Sequence, residues 1–415
     1  MFKFRNTDNN LILKNISYLS FLRLINIAVK FLLVAYLVRI LGEINYGLLT
    51  WSEAIIQFLI IFVNFGFNIY AARYIVENRE DKNRINEIIT SILAIKLCLL
   101  ILGFVLLFAL SFFKPFSIHS NILFLMLFMG LGEVLFPIWF YQGIEKLKEA
   151  MYITVFSKLM LLAGTFIFIK DSEDLLLFVF LLVITNILMG TAGYISLVMN
   201  HHFKPVWVKK PVIKGYVKDA YMFFLGMFLS LTFNFATIFL IGLYFSMEYV
   251  AGFDVALKVV LVAIIPFDIL QQAVYPTVTR NKDKKLIRSL IGLSFLAGII
   301  LMVLLCSFAE SLLGIFGGTE MIKYKEVLQA LSVMVPFSAL TFILGSCTLL
   351  AFGYTKEFNY SLIISSALYI LVVIILILNG HMTFWNLVYL RVISDIILVL
   401  IRVYYTHQRK ILKRQ

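Results

Sequence analysis

Residues 87–113 read EIITSILAIKLCLLILGFVLLFALSFF. After the opening Glu87 the run carries one charge, Lys96, and its apolar residues are continuous, without the alternation of a half-buried strand. As a helix it spans about 40 Å, more than the ~30 Å hydrocarbon core of a bilayer. Similar runs recur at 17–40, 46–72, 121–142, 150–169, 175–199, 220–245, 249–275, 286–309, 327–352, 358–378 and 384–405. The pattern predicts an all-α polytopic membrane protein with about twelve transmembrane helices. Continuous runs exclude a β-barrel, whose strands alternate.

Composition agrees. Of the 415 residues 62% are hydrophobic and 14% charged, against roughly a quarter charged in soluble domains. A soluble fold needs a polar skin that this chain cannot supply. The start, MFKFRNTDNN, is polar and leads into a full-length span, so no cleaved signal peptide is expected. Cys98, Cys306 and Cys347 all fall in spans, where they read as buried packing residues and not as a disulfide framework.

Lysine and arginine set the orientation. With the N-terminus cytoplasmic, alternate connections hold about 25 cations, Arg402 and Arg409 among them, and the others about five. This bias predicts an even span count and both termini cytoplasmic. The net charge of +13 therefore reads as topology and lipid-headgroup contact, with no nucleic-acid partner. The longest such connection, 201–219 (HHFKPVWVKKPVIKGYVKD), divides the chain into an N-terminal six-helix lobe at 1–200 and a C-terminal one at 220–415. Parallel halves are supported by a weak internal match. Asn45–Ala54 opens the second span and Val250–Lys258 the eighth, each with a glycine near an acidic residue.

Motifs of soluble enzymes are missing. The sequence has no GxxxxGK[ST], no HExxH and no Cys/His cluster; its five histidines are scattered at 119, 201, 202, 381 and 407. No catalytic residue or metal ligand is assigned. The candidates for function are charges inside spans: Arg23, Lys30, Lys96, Lys158, Lys258 and Arg391, with Glu53, Glu133, Asp254, Asp268 and Asp395. Each costs about 2.5–3.5 kcal/mol at the centre of a lipid-facing helix, so each should face a partner or a wet cavity. Arg391 and Asp395 lie four apart on one helical face, as do Asp254 and Lys258. Such pairs read either as structural locks or as the lining of a polar central cavity. A cavity of this kind would suit a bulky, negatively charged ligand, because Arg and Lys meet phosphate oxygens through charge-assisted hydrogen bonds. Pro137, Pro266 and Pro336, near span middles, permit kinks. Gly42, Gly47, Gly66, Gly143 and Gly252 permit close helix contact.

Three stretches carry a family resemblance. Pro137-Ile138-Trp139-Phe140-Tyr141-Gln142-Gly143-Ile144-Glu145-Lys146 resembles the Pro-x-Trp-x-x-Gln-Gly-x-Glu signature closing the fourth span of O-antigen repeat-unit flippases. Arg39 to Glu53, with Leu41-Gly42 and Tyr46-Gly47, is similar to the link between their first two spans, and Phe65-Gly66-Phe67 through Asp81 to the loop beyond. The likeness is clear over the first half and rests mainly on span count in the second. These flippases belong to the multidrug/oligosaccharidyl-lipid/polysaccharide exporter superfamily.

The resemblance implies two six-helix lobes around a central cavity. It implies a flippase, not an enzyme, in the bacterial inner membrane, moving an undecaprenyl-diphosphate-linked oligosaccharide from the cytoplasmic to the periplasmic leaflet by alternating access. No cofactor or ATP is implied; proton or cation coupling is. A polysaccharide polymerase and a chain-length regulator are implied as partners beside membrane lipids. The substrate-binding set expected from the intramembrane charges is Arg23, Lys30, Glu53, Lys96, Glu133, Lys158, Asp254, Lys258, Arg391 and Asp395. Two other readings stay open. An ion-coupled drug exporter of the same fold would have a smaller, more acidic cavity. A polysaccharide polymerase would have a sizeable outer loop with a catalytic constellation, and the longest outer loop here, Glu310 to Glu326, is short.

Overall fold

The computed structural model describes the backbone of residues 6–412. Within it, side chains are described from residue 25 on, apart from 26, 27, 69, 222, 230–232 and 234. The described residues are helical and contain no strand, which bears out the all-α reading. They divide into two compact units: residues up to Leu33 with Ser52–Phe228, and Val34–Trp51 with the residues from Leu229 on. The connection 201–219 lies within the chain of the first unit.

The helices, in chain order, are α1 (Asn6–Asn64), α2 (Phe67–Glu77), α3 (Lys82–Leu110), α4 (Ser120–Leu127), α5 (Met129–Leu135), α6 (Ile138–Gly143), α7 (Leu147–Phe168), α8 (Leu175–His201) and α9 (Lys210–Tyr244). There follow α10 (Met247–Asn281), α11 (Lys284–Ser307), α12 (Ala309–Gly317), α13 (Lys325–Ser332), α14 (Met334–Phe342), a π-helix at Ile343–Leu350, α15 (Thr355–Leu378) and α16 (Phe384–Gln408).

Ten helices among the described residues are long and apolar enough to cross a membrane, against about twelve expected. Two expected spans account for the difference. The first and second run together as α1, and the seventh falls in the 35-residue α9, of which only Phe235–Tyr244 is an unbroken apolar run of described side chains. Gly42 interrupts α1 with φ 72° and ψ 169°, a conformation open to glycine and costly to other residues. The second expected span stops early, at Phe65-Gly66, and α2 begins anew.

The fourth expected span, 121–142, is broken twice. Phe136 is extended and Pro137, which has no N–H, opens α6. The corner that follows is packed solid. Trp139 and Tyr141 are fully buried, and the Tyr141 hydroxyl donates to the Gly193 carbonyl at 2.9 Å. Arg79 holds the end of the corner through the Gly143 carbonyl (3.0 Å) and Glu145 (2.5 Å). The Pro137–Lys146 signature thus builds the core of the first unit, with Phe67, Ile75, Ile88 and Ile92 around it.

Outward faces are apolar. Ile101, Val105 and Phe108 of α3, and Leu371, Ile374 and Leu378 of α15, are exposed, as helices facing lipid should be. Cys98 is a correction: it is exposed, Cys306 is half-buried and only Cys347 is buried. A helix that is apolar all round gives no sequence signal for which face looks at lipid.

Candidate functional site

Five of the predicted site residues in the first unit gather around α3, α5 and α7. Lys96 is 1% exposed and its ammonium donates to the backbone carbonyl of Glu133 at 2.5 Å. The Glu133 carboxylate accepts from the Asn64 side-chain amide at 3.2 Å. Lys158 on α7 lies within electrostatic range of Glu133, Lys30 and Glu53. Buried Lys96, half-buried Lys158 and exposed Lys30 therefore share a region with two glutamates, a local excess of positive charge. Lys96 takes a carbonyl, not a carboxylate oxygen, so its bond satisfies the donor without cancelling the charge. Arg23 is outside the residues whose side chains are described.

On its other flank α7 borders an open groove of about 830 Å³ shared with α8. Tyr152, Phe156, Ser157, Met160, Leu188 and Ala192 line it. Ser157, its one small hydroxyl, is occupied by the Thr185 carbonyl at 2.7 Å.

In the second unit the predicted residues form two closed pairs. Asp254 Oδ2 accepts from Lys258 at 2.5 Å, from the Tyr46 hydroxyl at 2.6 Å and from Thr50 at 3.5 Å. Lys258 also donates to Tyr46 at 2.8 Å. Asp254 is 3% exposed and Tyr46 2%. The two segments that looked like internal repeats, around Tyr46 and around Asp254, are therefore direct neighbours. Gly47 makes this possible, because a Cβ there would stand 1.8 Å from the Met247 carbonyl oxygen. Further along, Arg391 meets Asp395 at 2.9 Å, and Asp395 also accepts from Ser338 at 3.1 Å. Both pairs are the locks that four-residue spacing allows, and both are buried. Asp268 lies off these clusters, half-buried on α10, with Gln272 donating to it at 3.2 Å.

Arg402 corrects the loop tally. It was expected in the basic C-terminal tail, yet it is 3% exposed inside α16. Its guanidinium donates to the Thr341 carbonyl at 2.6 Å and to Ser361 Oγ at 3.2 Å, and lies 4.7 Å from the Phe358 ring. Thr341 stands just before the π-helix, where the change of hydrogen-bond register frees a carbonyl. Arg402 caps it. Spacing could have found this residue: Arg391, Asp395 and Arg402 fall on one stripe of α16.

Among the described residues no cluster of His, Cys, Asp or Glu could hold a metal ion.

A sequence profile described as "Polysaccharide biosynthesis protein" matches residues 12–282. The chain belongs to this family. It is 24% identical over 376 residues to a "Putative O-antigen transporter" of Escherichia coli (strain K12), covering 89% of this chain and 90% of that protein. A protein of the same name from Shigella dysenteriae is 26% identical over 409 residues, covering 93% and 98%. The structure resembles a lipid II flippase MurJ in an inward closed conformation, with TM-score 0.74, 16% identity and 95% and 87% of the two chains covered. It also resembles an inward-facing multidrug resistance MATE family transporter of the MOP superfamily, with TM-score 0.67, 14% identity and 94% of each chain covered. The resemblance read from the Pro137–Lys146 and Arg39–Glu53 motifs is borne out, and so is the exporter fold. Both of these relatives are named as transporters, in line with the reading of a transporter and not an enzyme.

Proposed function

We propose that this protein is a flippase for a lipid-linked oligosaccharide, an O-antigen or related surface-polysaccharide repeat unit carried on undecaprenyl diphosphate. The unit would pass from the cytoplasmic to the periplasmic leaflet of the bacterial inner membrane by alternating access. The observation that carries this reading is the cation-rich cluster of Lys30, Lys96 and Lys158 with Glu53 and Glu133. Neither the sugars nor the diphosphate of such a substrate can cross hydrocarbon unaided, and for the diphosphate charge-assisted hydrogen bonds from lysines replace its water. The closed pairs Asp254–Lys258 and Arg391–Asp395 act mainly as locks in this reading. The driving force is a proton or cation gradient, because the chain has no nucleotide-binding motif. Both termini are cytoplasmic, and a polymerase with its chain-length regulator takes the product on the far side.

The test is deletion of the gene in an otherwise intact surface-polysaccharide pathway. Single lipid-linked units stranded on the cytoplasmic leaflet, with polymer lost, support the flippase. Units that reach the periplasm unpolymerised point to a polymerase instead. Normal polymer with altered drug tolerance points to a small-molecule exporter.

A further inference from the structure

The connection between α8 and α9 has no regular secondary structure and is pinned to the side of α3. His202, at φ 55°, ends α8, and Phe203 is buried in the core of the first unit. The Lys204 amide then donates to Asn86 Oδ1 at 3.3 Å and the Val206 amide to Thr90 Oγ1 at 3.2 Å. This fixes the depth of the segment. The apolar part of α3 runs from Ile88 to Leu110, about 34 Å of helix, close to the thickness of the hydrocarbon core. Thr90 therefore stands at the edge of that core, and so does the residue beside Val206.

That residue is Trp207, and it is 94% exposed. The chain has four tryptophans; Trp51 and Trp139 are buried completely. A tryptophan projecting from a rigid segment at the level where acyl chains meet headgroups is the arrangement of an interfacial anchor, apolar ring inward and indole N–H toward water. Lys204, Lys209, Lys210 and Lys214 surround it in sequence and all are exposed. A basic cluster at this depth attracts acidic headgroups, about 1 kcal/mol for each lysine near the surface.

We propose that residues 203–214 form a lipid-reading anchor: Trp207 is seated at the headgroup boundary and the flanking lysines hold the phosphates of anionic lipids. The surface selects an acidic leaflet and sets the depth of the first unit in it. This does not depend on which cargo the protein moves.

The test uses the full chain reconstituted in vesicles of phosphatidylcholine, alone or mixed equally with phosphatidylglycerol. Subtracting the emission of a Trp207→Phe variant isolates Trp207 from the other three tryptophans. The exchange is safe for folding because the ring packs against little. Because α3 fixes its depth, Trp207 should be shielded from acrylamide in both vesicles, and in the mixed vesicles shallow doxyl-phosphatidylglycerol should quench it several-fold more than the same amount of shallow doxyl-phosphatidylcholine. The triple variant Lys204→Gln/Lys209→Gln/Lys210→Gln should lose that difference. Acrylamide access equal to that of free tryptophan in both vesicles would overturn the anchor. Equal quenching by the two labelled lipids would overturn the selection of acidic lipid.

Discussion

Asp254 offers a quantitative test of what a buried pair is for. Its Oδ2 carries Lys258 at 2.5 Å and Tyr46 at 2.6 Å, and the carboxylate side chain is only 5% exposed. Asp254→Asn leaves Lys258 charged, 15% exposed and short of its nearest anion. Breaking a buried pair in this way costs about 3–5 kcal/mol. A unit of roughly 200 residues loses about 2–4 °C of Tm per kcal/mol, so the expected fall is roughly 6–20 °C. Lys258→Met strands the carboxylate and should cost a similar amount. The double variant Asp254→Asn/Lys258→Met removes both charges and keeps the volume, so it should recover most of the loss. Thermal unfolding of the purified full chain in detergent measures all four corners of this cycle. If the double variant falls by the sum of the singles, the two residues are not coupled and the argument from geometry is refuted. Export then separates the roles. A stable double variant that still exports makes the pair a lock; one that is stable and inactive makes it part of the substrate path.

Three further outcomes are expected. Gly47→Ala drives a Cβ onto the Met247 carbonyl, 1.8 Å away, and should cost about 3 kcal/mol or more, read as loss of protein from the membrane. Arg402→Met leaves the Thr341 carbonyl and Ser361 without their donor; stability should fall by about 2–3 kcal/mol, and Arg402→Lys should restore only part of it, because a lysine cannot reach both acceptors at once. A reporter fused to the C-terminus should be active only in its cytoplasmic form, and a periplasmic signal would overturn the even span count.

What could be read from the sequence followed from what each signal depends on. Apolar runs and their lengths report solvent, so the helical membrane class and most spans were legible from residues such as 87–113. Breaks were half legible. Pro137 marked one, since a proline lacks the N–H that continues a helix, although Pro266 and Pro276 lie inside the unbroken α10; Gly42 and Phe65-Gly66 read as contact sites because glycine serves both purposes. Pairs four apart on one helix, Arg391–Asp395 and Asp254–Lys258, were legible because a helix fixes their distance. Tyr46 was not, because its bond to Asp254 joins residues 208 apart in sequence. Arg402 was misplaced for another reason. Its neighbours Arg409 and Lys410 are exposed, and a count of charge near the end of the chain does not record which helical face each cation occupies.

The buried cations differ in how they are satisfied, and that difference bears on binding. Lys258 and Arg391 each face a carboxylate, so their fields largely cancel within the protein. Lys96 faces a carbonyl, which removes the cost of an unmade hydrogen bond yet leaves a full positive charge. An anion approaching the first unit would feel Lys96 and Lys158 together, moderated by Glu133 and Glu53. This argument has a sharp consequence for Glu133. Its backbone carbonyl, not its side chain, holds Lys96, and an amide oxygen can still accept from Asn64. Glu133→Gln therefore keeps the geometry while deleting one negative charge, and export should be retained or raised. Lys96→Gln deletes a charge-assisted donor worth about 1.5–3 kcal/mol, and export should fall about 10- to 150-fold at unchanged abundance. Accumulation of exported polymer, normalised to protein in the membrane, distinguishes the two. If Glu133→Gln is as inactive as Lys96→Gln, the carboxylate itself is required, as a proton carrier would be, and the cluster works by titration and not by its excess of positive charge.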